Sequence, residues 1–83
     1  MAEVQIGQVS HFYNKISVAM LTLTDKLRVG DTMHFHGHAT DFQQAVTSLQ
    51  VEHQPVNEAG PGEVAMKVEQ RVHPHDAVFK ITG

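Results

Sequence analysis

The sequence contains no cysteine and no tryptophan. Without thiols there are no disulfides, no thiolate metal centre and no cysteine nucleophile. Basic residues are scarce, six Lys and Arg against nine Asp and Glu, for a formal charge of −3 over 83 residues. Affinity for nucleic acid comes chiefly from neutralising phosphates, so broad non-specific binding to RNA or DNA is not expected. No apolar run approaches the ~20 residues of a membrane span, and no membrane partner is expected. The opening Met1-Ala2-Glu3-Val4-Gln5 lacks the basic and apolar regions of a signal peptide, which makes the cytoplasm the expected location. There is no Gly-x-x-x-x-Gly-Lys-Ser/Thr loop to cradle a nucleotide. No Gly-x-Ser-x-Gly elbow supports a nucleophilic triad. No cofactor and no enzymatic activity are therefore expected.

The chain's length fits a single domain, 1–83, that buries only roughly 60% of its extended-chain surface. What stands out is seven His. The organising stretch is Leu27-Arg28-Val29-Gly30-Asp31-Thr32-Met33-His34-Phe35-His36-Gly37-His38. Gly30-Asp31 is a turn, because Gly accepts positive φ and Asp bonds the nearby backbone. Met33 and Phe35 then alternate with His34 and His36, which predicts a strand with one apolar and one imidazole face. Gly37 ends or bulges it.

Val4, Ile6 and Val9 predict an earlier strand, with Gly7 at a bulge or a close backbone approach. His11 to Lys15 reads as a polar and aromatic turn, and Ile16 to Leu23 as a strand covered on both faces. Phe42, Ala45, Val46 and Leu49 have helical spacing. Thr40 or Asp41 could cap such a helix, and the pattern alone leans that way; the other reading is an alternation through Val46 that resumes at Leu49 and Val51 after a one-residue parity shift. Gln50 to Pro55 reads as strand into turn, and Val56 to Gly62 as a loop. Val64, Met66 and Val68 predict a further strand, and Val78, Phe79 and Ile81 a last one. Gly30-Asp31, Gly62-Glu63 and His75-Asp76 each open a short strand. Three such units predict an antiparallel all-β domain, and closure into a barrel would remove its edges.

The ordered set Ile6-Gly7-Gln8-Val9, Leu27 to Gly37, Val46 to Val51, Val56, Ala59 and Pro61-Gly62-Glu63 with Val64 and Met66 resembles the second domain of the translational GTPases, the β-barrel of elongation factor Tu and its relatives. The resemblance spans roughly residues 4 to 81. It implies a small antiparallel, closed or nearly closed β-barrel of the translation-protein type, with a strand over Gln44 to Val51. It also implies a non-catalytic binding module contacting tRNA or ribosomal RNA. Similar barrels stand alone or are appended to collagenase-like peptidase-family proteins that act in RNA modification, so the alternative is a protein-docking accessory barrel for a peptidase-like or RNA-modifying enzyme. A His-based metal or pH-responsive module is a further alternative. The sequence departs from the pattern at His75, where a Gly is expected before Asp76.

Candidate contact residues for RNA or a protein partner are Phe12 and Tyr13, as aromatic platforms, with Arg28 and Lys67. His34 and His36 share a strand face and form a candidate metal pair, for which Asp41, His73 or His75 would supply a further ligand. The plainer reading, which is preferred, puts these imidazoles on a solvated face. Asp31, Glu63 and Asp76 are explained as turn residues.

Overall fold

The computed structural model describes residues 2–82. The chain is all β: β1 (Ala2–Tyr13), β2 (Val18–Leu23), β3 (Leu27–Arg28), β4 (Thr32–His36), β5 (Asp41–Ala45), β6 (Leu49–Val51), β7 (Gln54–Val56), β8 (Glu58–Ala59), β9 (Gly62–Lys67) and β10 (Ala77–Thr82). Eight strands form one sheet in the order β5-β4-β10-β1-β2-β9-β6-β7, and β3 pairs with β8. Every pairing is antiparallel. No helix among the described residues is long and apolar enough to cross a membrane.

The alternating segments fold as their period requires. Met33 and Phe35 of β4, Ala19, Leu21 and Leu23 of β2, and Val64 and Met66 of β9 all point into one buried core. The outer side of β2 is only half covered, at Val18 and Met20. This corrects the expectation of a strand buried on both faces, since the domain has no second layer there.

β1 departs from period two, and its bulges explain why. Ladder register shifts between Gln5 and Gly7 and again between Val9 and His11. Each bulge inserts one residue, so Ile6, Val9 and the half-buried Phe12 reach the same interior at a spacing of three. Gly7 is required at the first bulge. A Cβ there would overlap the Thr22 carbonyl oxygen and lie 2.9 Å from Leu23 Cα. The strand continues through Tyr13, where a turn region was predicted, and the turn falls instead at Asn14 to Ser17.

The segment after Gly37 is β structure, not helix. Gln44 and Val46 are buried while Ala45 is exposed, the reverse of what a helical face through Ala45 needs. The parity shift is the break between β5 and β6 at 46–48, so the single strand expected over Gln44 to Val51 is instead the end of one strand and the whole of the next. The next turn places Glu52 and His53 at φ 52° and 65°, and the chain returns as β7. Pro55 fits there because β7 is a sheet edge, where no ladder donor is missed.

The sheet is not closed by a continuous ladder, so the expectation of a closed barrel is not met by main-chain pairing. Gln44 lies at the place where closure would occur. Its amide donates to the carbonyl of Lys67 (3.1 Å), and its oxygen accepts from the N–H of Glu69 (2.8 Å). Gln44 is 6% exposed, so one polar side chain on β5 occupies the gap to the end of β9.

Loop positions complete the frame. His75 has φ 75°, the left-handed conformation that a Gly would supply at no cost. Its N–H reaches the carbonyl of Val9 (2.7 Å), and the Val9 N–H reaches the carbonyl of Asp76 (2.8 Å). Asp76 is buried and accepts the His73 N–H at 2.8 Å.

Candidate docking groove

The β1–β2 hairpin carries the most exposed large apolar side chain of the described residues, Ile16 at 62%, beside Tyr13 at 45%. Ile16 lies in the turn because its N–H bonds the Tyr13 carbonyl (3.3 Å) and Ser17 takes φ 55°. It was expected to begin a buried strand. The ring of Tyr13 packs against His11 with centroids 4.3 Å apart, which fixes its direction. Behind the tip, Val18 and Met20 project from the outer side of β2, and Ala65 from β9. Tyr13, Ile16, Val18, Met20 and Ala65, with Gln50 and His53, line a groove of about 460 Å³. An adjoining recess adds Ser48 and Lys67.

The predicted contact residues divide. Tyr13 and Lys67 lie along this groove system. Phe12 turns partly toward the core and also lines the recess at the hairpin tip. Arg28 sits in the separate β3–β8 pair, where it meets Glu58 (Nε to Oε2, 3.2 Å), with Lys26 on the same carboxylate at 3.6 Å. These exposed pairs contribute little to stability. Ile16, Val18 and Met20, which line the groove, are not among the predicted contact residues. A β-branched run beside a strand pattern reads as core until the turn places it outside.

His34 is held between two carboxylates. Its Nε2 lies 2.6 Å from Asp41 Oδ1, and its Nδ1 contacts Glu3. The Asp41 bond raises the His34 pKa above its ordinary value, against the opposing effect of burial, and Glu3 adds to the rise. The His34 bond lowers the pKa of Asp41. The His36 ring is 5.8 Å from that of His34. Both His34 nitrogens are thus taken, on opposite sides of the ring. Among the described residues no group of three or more His, Asp or Glu converges as a metal site. Asp41 does neighbour His34, but as its hydrogen-bond acceptor.

A second polar cluster has the residue types of a triad but not its geometry. Thr40 Oγ1 is 3.0 Å from His73 Nδ1, and Asp76 Oδ2 is 3.8 Å from that same nitrogen. A relay needs acid and nucleophile on opposite ring nitrogens, and Thr40 is buried. The cluster joins the loop after β4 to the loop before β10.

The site and fold together define a class: a small all-β domain whose distinctive surface is an apolar groove on the outside of a curled sheet. No family model matches the chain. Over 79 residues it is 37% identical to an uncharacterized protease of Methanocaldococcus jannaschii, a match covering 93% of this chain and 19% of that protein. The chain thus spans about a fifth of the length of the curated relative it matches. Its fold is that of the C-terminal domain of a putative U32 peptidase from Geobacillus thermoleovorans, with a TM-score of 0.87 at 22% identity over 94% of this chain and 92% of that one. The selenomethionine variant of the same domain gives 0.85 at 22% identity, over 90% and 96%.

These likenesses overturn the resemblance to translation-factor barrels. With it falls the reading as an elongation-factor-like, RNA-binding module. The physical reason lies in the residues that carried it. Leu27-Arg28-Val29-Gly30-Asp31 and its later echoes encode turns that open antiparallel strands. Any fold with such turns needs them.

Proposed function

We propose that this chain is a non-catalytic docking domain that works with a peptidase-type enzyme of the U32 kind. The observation that carries the reading is one of proportion: nearly the whole chain corresponds to about a fifth of a protease. The fold likeness to a C-terminal peptidase domain points the same way. The apolar groove offers a face for that role. In this reading the curled sheet serves as a nearly closed barrel, with Gln44 across its seam, and the chain acts in the cytoplasm as one domain.

The test uses the untagged chain as bait in extract of its source cell, with captured polypeptides identified by mass spectrometry at low and high salt. The expected result is salt-resistant recovery of a U32-type polypeptide, with no hydrolysis of casein by the purified chain alone. Recovery of RNA released by salt, with no such polypeptide, would refute the proposal, because phosphate contacts are salt-sensitive and apolar docking is not.

A further inference from the structure

We propose that the groove behind the β1–β2 turn receives an extended stretch of polypeptide, an apolar side chain flanked by carboxylates, presented by the peptidase-type partner. This rests on the docking role above and assigns its surface and the chemistry of its occupant.

Three observations converge. The first is where apolar exposure concentrates. Of the four large apolar residues that stand exposed, Tyr13 and Ile16 sit together at this groove, and Ile16 is the most exposed. Val18, Met20 and Ala65 continue the surface inward. The second is shape. A volume of about 460 Å³ lies within the range of pockets that hold ligands, and the Tyr13 wall is braced by His11.

The third is charge. The chain is acidic overall, yet among the described residues no carboxylate lines the groove or the recesses beside it. Lys67 lines one recess and Lys15 the other. Among the described residues Lys26, Arg28 and Lys80 have acidic partners, and Lys15, Lys67 and Arg71 have none; of these three, Lys15 and Lys67 lie beside the groove. Two unpaired ammonium groups beside an apolar cleft, on a chain of opposite net charge, complement a segment that is apolar at its centre and acidic on either side. RNA fits less well. Phe12 is turned partly inward, which leaves Tyr13 as a single exposed stacking platform, and two cations give few phosphate contacts.

The experiment titrates the methyl-labelled chain with a synthetic ten-residue peptide carrying Leu and Phe at its centre between Asp and Glu residues. Controls are the same peptide with Lys in place of each acid, and a ten-nucleotide single-stranded RNA. The expected result is chemical-shift change at the Ile16, Val18, Met20 and Ala65 methyls with the acidic peptide, and binding at least ten-fold weaker for the Lys peptide. Ile16→Asp should weaken the acidic peptide at least ten-fold. Lys67→Glu should weaken it about three-fold. Ile16 is exposed in a turn, so Ile16→Asp is expected to fold, as checked by circular dichroism, and Lys67→Glu reads the same site without touching an apolar residue.

Absence of these shifts, equal affinity for the acidic and Lys peptides, or the same shifts with RNA would each overturn the assignment. Used as bait, Ile16→Asp separates the two proposals. A U32-type polypeptide that still copurifies with it overturns the groove while leaving the docking role in place. Peptide shifts without capture by the unaltered chain overturn the partner while the peptide preference of the groove stands.

Discussion

Replacing Gln44 with leucine tests whether one side chain holds the open side of the sheet. Leucine keeps most of the buried volume but removes the donor to Lys67 O and the acceptor for Glu69 N–H. Each net hydrogen bond is worth about 0.5–1.5 kcal/mol, and a polar group left unpaired away from water costs about 1–3 kcal/mol. Lys67 and Glu69 are exposed residues, so water would satisfy part of what is lost. The expected destabilisation is therefore about 2–3 kcal/mol by urea denaturation. For a domain of this size that corresponds to a fall in Tm of roughly 10–20 °C. Gln44→Glu sharpens the test. Its carboxylate still accepts from Glu69 N–H but opposes the Lys67 carbonyl with a second acceptor. When protonated it would donate there again. Its deficit relative to the unaltered chain should thus shrink between pH 7 and pH 4. A cost below about 0.5 kcal/mol for Gln44→Leu, with no pH dependence for Gln44→Glu, would refute the reasoning and assign the seam to the flanking ladders alone.

His75→Gly should stabilise the domain by about 0.5–1 kcal/mol, because relief of the left-handed backbone at φ 75° exceeds the added unfolded-state entropy; a thermal melt checks it. Gly7→Ala should cost about 3 kcal/mol, the upper end for overpacking, since the new methyl meets the backbone of β2 and not a movable side chain; denaturation midpoints would show it. His34→Gln should flatten part of the dependence of stability on pH. The His34 pKa is raised in the fold, so its contribution is fully present below about 6.5, the unfolded value, and is lost as pH rises through the folded value. The Asp41 pKa is lowered, so its contribution holds above about 3.9 and fades as pH falls through the folded value. Unfolding at pH 5.5 and pH 8.5 should therefore differ less in the variant than in the unaltered chain.

Several features were legible because a local rule determined them. Met33, Phe35, Val64 and Met66 alternate with polar neighbours, and period two is sufficient to place them. Gly7 and His75 could be flagged because a strand interior and a turn each ask for a particular backbone. The break at Val46 to Leu49 was one of two open readings, and the exposure of Ala45 decides it. What stayed hidden depends on distant partners. Two bulges in β1 convert alternation into a spacing of three, and bulges are set by pairing with β10 and β2, not by β1 alone. Gln44 reads as a polar flaw in an apolar row until the end of β9 is seen across from it. Of the candidate contact residues, Tyr13 lines the groove and Lys67 the adjoining recess. Ile16 was assigned to the core because nothing local says that Ser17 will turn left-handed.

Under the proposed docking role, the distribution of apolar and polar groups separates residues that serve the fold from those that face the groove. A chain of this length has a small core and little stability to spare. Even so, three interior places are held by Thr40, Gln44 and Asp76, each tied to backbone or a neighbouring side chain. Those three explain themselves, since each closes a loop or a seam. Ile16 does not. An exposed isoleucine at a hairpin tip adds nothing to the core and favours unwanted association. A turn of Asn14 and Lys15 tolerates a polar residue in its place at no cost to the fold. No carboxylate of the described residues lines this groove. The segment proposed as occupant, apolar at its centre and acidic at its flanks, would cover Ile16 and the half-buried Val18 and Met20 and would meet no carboxylate among the described lining residues.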